Sequence, residues 1–180
     1  MPNSFGMKYF TPELFLRFNS SDNEIADQAQ TDWEDALDAY QKHLEPLWSL
    51  MPPEVARLSQ LDLHDAEYIE LGQPITKMQI NGGASGIVNI GLCSFIPLSV
   101  RNVGKPIRIL YQTNDQPTQS PVASTWPFQS TNPTWLYDEI DITDFDSPSF
   151  VHRILWSDGA VWEIPFTDVK MESVTPPNKD

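Results

Sequence analysis

The stretch Ile154-Leu155-Trp156-Ser157-Asp158-Gly159-Ala160-Val161-Trp162-Glu163-Ile164 decides the fold class. Apolar residues alternate on both sides of Asp158-Gly159, the pair favoured in a two-residue hairpin turn. Such a turn opposes Leu155 to Trp162 and Arg153 to Ile164. Val151, Arg153 and Leu155 then share a face with Trp162, Ile164 and Phe166, while His152 joins Phe150, Ile154 and Trp156 on the other.

Working outward, period-two patterning predicts strands over 61–71, 75–81, 86–98, 105–113, 135–143, 150–157 and 161–169. The first sixty residues follow a different period. Thr11-Pro12-Glu13 reads as a capped helix start, with Leu14, Phe15 and Phe18 on one side. A longer helix carries Ile25, Ala29, Trp33, Ala36, Leu37, Tyr40 and Leu44 as one stripe, with His43 at its edge, and Pro46 ends it near Glu45. Pro52-Pro53-Glu54 starts a third. Helices first and consecutive strands after them define an α+β protein, not the alternating order of a parallel sheet. The expectation is N-terminal helices packed on a mostly antiparallel sheet of about six to seven strands.

The chain divides as one domain over 1–172, with a helical part at 11–60 and a sheet part at 61–169. A flexible tail follows at 173–180, and residues 1–6 read as a frayed leader. The proline-rich segment 114–134 is long for a connection inside a domain. It is either a mobile linker or an ordered lid that carries Trp126 and Phe128 to a site. The glycines of 81–91 form a turn and not a phosphate loop, because no Lys-Ser/Thr pair follows them.

Acids outnumber Lys and Arg by 25 to 11, a net charge of −14. That balance argues against nucleic-acid binding, which draws on clustered cations. The single cysteine, Cys93, excludes a disulfide scaffold and reads as a small core residue. No apolar run is long enough for a membrane span and no secretory signal is visible, so the expected location is cytoplasmic. Residues 1–71 hold 14 acids against 4 Lys and Arg, and residues 72–180 hold 11 against 7. The excess therefore concentrates on the long helix as an acidic face, suited to solubility or to a basic protein partner.

Carboxylates interrupt two apolar rows. In 61–71 the odd face reads Leu61, Leu63, Asp65, Glu67, Ile69 and Leu71, and His64 points the other way. In 135–143, Asp138 sits among Leu136, Ile140 and Ile142, with Tyr137 opposite. Buried carboxylates must be paired or neutralised, and Arg153 is the expected counter-ion for Asp138 or Asp65. One reading makes this a buried ion network that fixes strand register. Another gathers His64, Asp65, Glu67, Asp138 and His152 at a cleft as acid–base groups or metal ligands of a small hydrolase. A third is a small-ligand pocket, with Arg153, Trp126, Phe128 and Tyr137 as binding residues. No motif assigns a metal ligand or calls for a cofactor.

Four segments, 7–20, 63–71, 135–141 and 152–164, resemble a family of small bacterial proteins grouped as a domain of unknown function. Its members begin near K-Y-F-T-x-E-L and carry a following H-D-A. Related H-D-A and S-D-G patterns occur in proteins proposed as immunity factors of toxin systems. The resemblance implies a bacterial cytosolic origin and an α+β fold, and it carries no catalytic residue. The function expected is a non-catalytic binding module with an acidic helical face, with the hydrolase or ligand-binding protein as the alternative.

Overall fold

A computed structural model describes residues 6–82 and 88–174, with the main chain alone at 78–82 and 88–90. Residues 1–5 of the expected leader, the centre of the glycine-rich turn and residues 175–180 of the expected tail lie outside the described residues.

The helices follow their start signals. Helix α1 (Pro12–Phe18) is capped by Thr11, whose Oγ1 accepts the Leu14 N–H at 3.2 Å. Helix α2 (Asn23–Leu44) is capped by Asp22, which accepts from Glu24 and Ile25. It ends two residues before Pro46, which has no N–H to donate back to the Lys42 carbonyl. Helix α3 (Pro53–Leu58) opens on its proline.

The α+β class holds, but among the described residues nine strands form two antiparallel sheets instead of one. The first runs in the order β1 (Glu67–Leu71), β3 (Val88–Asn102), β4 (Lys105–Gln112), β9 (Asp168–Ser173), with β2 (Ile75–Gly82) also paired to β3. The second runs β5 (Thr118–Gln119), β8 (Val161–Phe166), β7 (Ser149–Trp156), β6 (Trp135–Asp144). The single strand expected at 161–169 breaks at Thr167. Its N–H donates to the Gln112 carbonyl at 2.9 Å and passes the chain from one sheet to the other.

The sheets meet through Leu98, Val100, Ile109, Tyr111 and Val169 on one side and Ile140, Phe150, Ile154, Trp156, Ile164 and Phe166 on the other. Leu44, Leu47, Met51, Val55 and Leu58 close one margin of that core. The outer face of the second sheet is covered by the segment 7–10, α1 and α2, through Met7, Phe10, Phe15, Leu16, Trp33 and Tyr40. Strand β7 is therefore buried on both faces, as the middle of a helix–sheet–sheet stack.

Two local expectations are corrected. The β7–β8 loop has three residues, because Trp156 N–H pairs with the Ala160 carbonyl at 2.9 Å and Gly159 takes φ +86°. A glycine in that position is the usual end of a three-residue hairpin loop. A Cβ at Gly159 would also stand 2.5 Å from the Trp126 ring. The register moves by one residue, opposing Arg153 to Glu163 and His152 to Ile164. In 61–71 only Glu67–Leu71 is strand. Residues before it turn, with Asp62 accepting the His64 N–H at 3.1 Å and Asp65 at φ +65°, a conformation that Asp tolerates better than most residues.

The segment 114–134, one reading of which was a mobile linker, is tied down. It contributes β5, and Trp126 stacks on Phe15 at 5.7 Å while its Nε1–H donates to the Ser157 carbonyl at 3.1 Å.

Candidate functional site: an aromatic cleft and two buried polar networks

Residues 65–68 run beside 133–135, with Asp65 N–H to the Trp135 carbonyl at 2.8 Å and Trp135 N–H to the Ala66 carbonyl at 2.8 Å. This seam joins the two sheets and brings the turn 61–64 over the start of β6. Helix α2 flanks the other side. Between them lies a cleft of about 280 Å³ lined by Phe10, Trp33, Leu37, Tyr40, Leu61, Asp62, Leu63, His64, Leu136, Tyr137 and Asp138. Its rings support one another, with Trp33 4.2 Å from Tyr137 and 4.7 Å from Phe10. Burial pushes the Tyr137 phenol up, and the Asp65 charge adds to it.

Asp138 is the innermost charged group of the cleft, its side chain 22% exposed. Its expected counter-ion was Arg153. The structure gives it Trp135 Nε1–H on one oxygen and His152 Nε2 on the other, both at 3.0 Å. His152 is fully buried and its Nδ1 lies 2.8 Å from the Tyr111 hydroxyl. Asp138 can only accept, so the proton belongs on His152 Nε2, and Tyr111 O–H donates to Nδ1. Burial raises the pKa of Tyr111 well above its ordinary value, and the Asp138 charge raises it further. Asp138 likewise adds to the burial that raises Tyr40. Tyr40 Oη accepts the Ile140 N–H at 2.6 Å, which covers the edge of β6.

A second network lies on the outer face, where the register puts Glu139, Arg153 and Glu163 side by side. Glu139 accepts the N–H groups of Lys8, Tyr9 and Phe10 at 2.6–3.1 Å. Glu163 accepts Gly6 N–H at 2.6 Å and Arg153 Nε–H at 3.3 Å. Asp141 meets Lys8 Nζ, His43 Nε2 at 2.9 Å and Arg153 Nη1 at 3.5 Å. Arg153 therefore serves Asp141 and Glu163, not Asp138 or Asp65. The β6–β7 register pairs Arg153 with Glu139 and Ile154 with Asp138, so alternation turns Arg153 to the opposite side from Asp138.

The remaining sequence candidates separate. Asp65 faces solvent beside His64, Oδ2 to Nδ1 at 3.2 Å, and is not the buried carboxylate expected. The turn lets the two residues meet where a regular strand would have parted them. His64 stays at the lip of the cleft, its ring 5.5 Å from that of Tyr137. Glu67 pairs with Arg101 across the first sheet at 2.9 Å. The structure thus unites Asp138 with His152 and brings His64 near them, while Glu67 stands elsewhere. Among the described residues no three His, Cys, Asp or Glu side chains are placed to share a metal ion. Trp126 and Phe128 close on Phe15 and a separate depression shared with Asp158, not on this cleft. Cys93 is half-buried at a cavity of about 350 Å³ beside Ser94 and Thr113.

Sequence reasoning missed Phe10, Trp33 and Tyr40 as site residues. Trp33 and Tyr40 read as core stripe and Phe10 carried no signal, while Asp138, His64 and Tyr137 were the residues of this cleft that the sequence marked. Comparison with protein-family models, curated proteins and solved structures finds no match for this chain. Among the described residues no helix is long and apolar enough to cross a membrane.

Asp141 gives a pH-dependent prediction. Burial acts to raise its pKa, but the Lys8 ammonium and then His43 overcome this and hold it below the ordinary carboxylate value. A group depressed in this way stabilises the fold above its unfolded pKa of about 4, and the contribution fades as pH falls through the folded pKa. Asp141→Asn should lose about 1–3 kcal/mol at pH 7. In thermal melts the gap from wild type should narrow as pH drops from about 4 to 2. A gap that is constant over that range would exclude the pairing.

Proposed function

We propose that this chain is a non-catalytic interaction module, an inhibitor or immunity-like protein that engages a basic protein partner through α2. The observation that carries the reading is the solvent face of α2. It exposes Glu24, Asp27, Glu34, Asp35 and Asp38. Among the described residues, the only ion pairs on those five acids are Asp38 with Lys42 and none beyond it. An unneutralised face of this kind steers a cationic partner and makes association strongly salt-dependent. The resemblance to immunity proteins accords with it, as does the cytoplasmic location expected from the sequence.

The buried Tyr–His–Asp chain favours binding over hydrolysis. Nucleophilic catalysis needs the histidine toward the substrate and the carboxylate behind it. Here the order is reversed, with Asp138 at the cleft and His152 sealed behind. What the cleft receives is a fixed negative charge.

Paired affinity capture from the source cell at low ionic strength tests the reading. Wild type is compared with a bait carrying Asp27→Asn, Glu34→Gln and Asp35→Asn. A basic protein held by wild type, released by salt and absent from the neutralised bait is expected. Identical retention on both baits overturns the reading.

A further inference from the structure

We infer that the cleft beside α2 is an arginine pocket, which anchors one guanidinium of a basic polypeptide; this rests on the reading that α2 meets a basic partner. The walls are the rings of Phe10, Trp33, Tyr40 and Tyr137, and none of the residues lining the cleft is Lys or Arg. The ionisable groups facing it are Asp138 and Asp62 with His64, Tyr40 and Tyr137. Apolar rings next to carboxylates do not suit an anion, and a neutral apolar guest would leave Asp138 desolvated without a new partner.

The chemistry of Asp138 selects among cations. Each of its oxygens takes one N–H from inside the protein, from Trp135 and His152. A carboxylate offers about four lone-pair positions, so each oxygen retains one acceptor site. Two N–H groups in a planar fork match that pair. A guanidinium also stacks on aromatic faces and sheds water more readily than an ammonium. Trp33 and Tyr137 are among the aromatic groups that line the cleft with Asp138. Glu34, exposed on α2, lies one turn before Leu37 at the cleft, on the same side of the helix (i, i+3), so it adds a negative charge near the mouth for a cationic chain.

The test titrates acetyl-Gly-Arg-Gly-amide, its lysine counterpart and its citrulline counterpart into the full chain. The indole N–H resonances of the six tryptophans are followed by NMR, with Trp33 assigned by substitution. Saturable displacement of the Trp33 signal by the arginine peptide is expected, with the citrulline peptide weaker by about tenfold or more and the lysine peptide intermediate. Asp138→Asn should weaken the arginine peptide by about tenfold. Trp33→Leu, followed on the Trp135 indole N–H that donates to Asp138, should do the same while leaving the hydrogen bonds of Asp138 in place.

Equal affinity for arginine and citrulline, no saturation at concentrations on the order of 10 mM, or unchanged binding in Trp33→Leu would each overturn the pocket. The α2 charge variant separates this from the broader reading. Arginine-peptide binding that survives neutralisation of Asp27, Glu34 and Asp35 supports the pocket even where capture of the basic protein is lost. Capture that persists while the peptide fails to bind removes the pocket alone.

Discussion

Glu139→Ala is expected to cost about 3–5 kcal/mol of folding free energy, because it empties a buried charged position while its partners remain. Glu139 is 1% exposed and both of its oxygens are taken by the N–H groups of Lys8, Tyr9 and Phe10. Alanine strands three donors under α2, and each buried donor left without an acceptor costs about 1–3 kcal/mol. Arg153, its cross-strand neighbour, also loses a nearby negative charge. Glu139→Gln keeps the shape and one acceptor but turns an NH₂ toward N–H groups, so about half the loss is expected. Urea denaturation followed by tryptophan fluorescence measures both. Fast hydrogen exchange at Lys8, Tyr9 and Phe10 in the alanine variant would place the damage at the strap. A loss below about 1 kcal/mol for Glu139→Ala would mean that the N-terminal segment is not held by this carboxylate.

His152→Phe should be the second large effect, about 3 kcal/mol, with side-chain volume nearly kept. The cost is polar. The Tyr111 hydroxyl, fully buried between the sheets, loses its acceptor, and Asp138 loses one of two donors. Tyr111→Phe alone should cost about 1 kcal/mol. The double variant His152→Phe/Tyr111→Phe should be no worse than His152→Phe, because the stranded hydroxyl is gone. Such non-additivity is the mark of directly coupled groups. Simple addition of the two losses would refute the hydrogen-bonded chain.

Much of the helical architecture was legible because each start carries its own chemistry. Thr11 and Asp22 sit where caps must, and Pro12, Pro46 and Pro53 permit few alternatives. The antiparallel hairpin at 150–166 was legible from alternation and from Asp158-Gly159. Its register was not. Ser-Asp-Gly suits a two-residue or a three-residue loop, and one residue of difference decides what Arg153 faces. The missed signal was charge. Only the longer loop opposes Arg153 to Glu163 instead of Ile164.

The same weakness affected 61–71, where alternation continued through residues that turn. Asp62 and Asp65 are turn formers as well as interruptions of a strand, and local side-chain bonds decided between the two. Leu136 left the Asp138 face because β6 carries a bulge between Trp135 and Tyr137. Two stacked sheets in place of one were beyond reach, since nothing around Thr167 distinguishes a continued strand from one that changes partners. The cleft needed α2 and the 61–64 turn in their final positions, although Asp138 and Tyr137 were visible in advance.

The strap at residues 6–10 reaches acceptors 131 and 157 positions further along the chain. Residues 6–10 leave the ribosome well before their acceptors Glu139 and Glu163 are made. Until β6 and β8 follow, the first helices have no sheet to lie on, and closing so wide a loop is a slow step in folding. Assembly is therefore expected as one concerted event that waits for β8, and shortening the chain from either side of β8 should leave no stable subfragment.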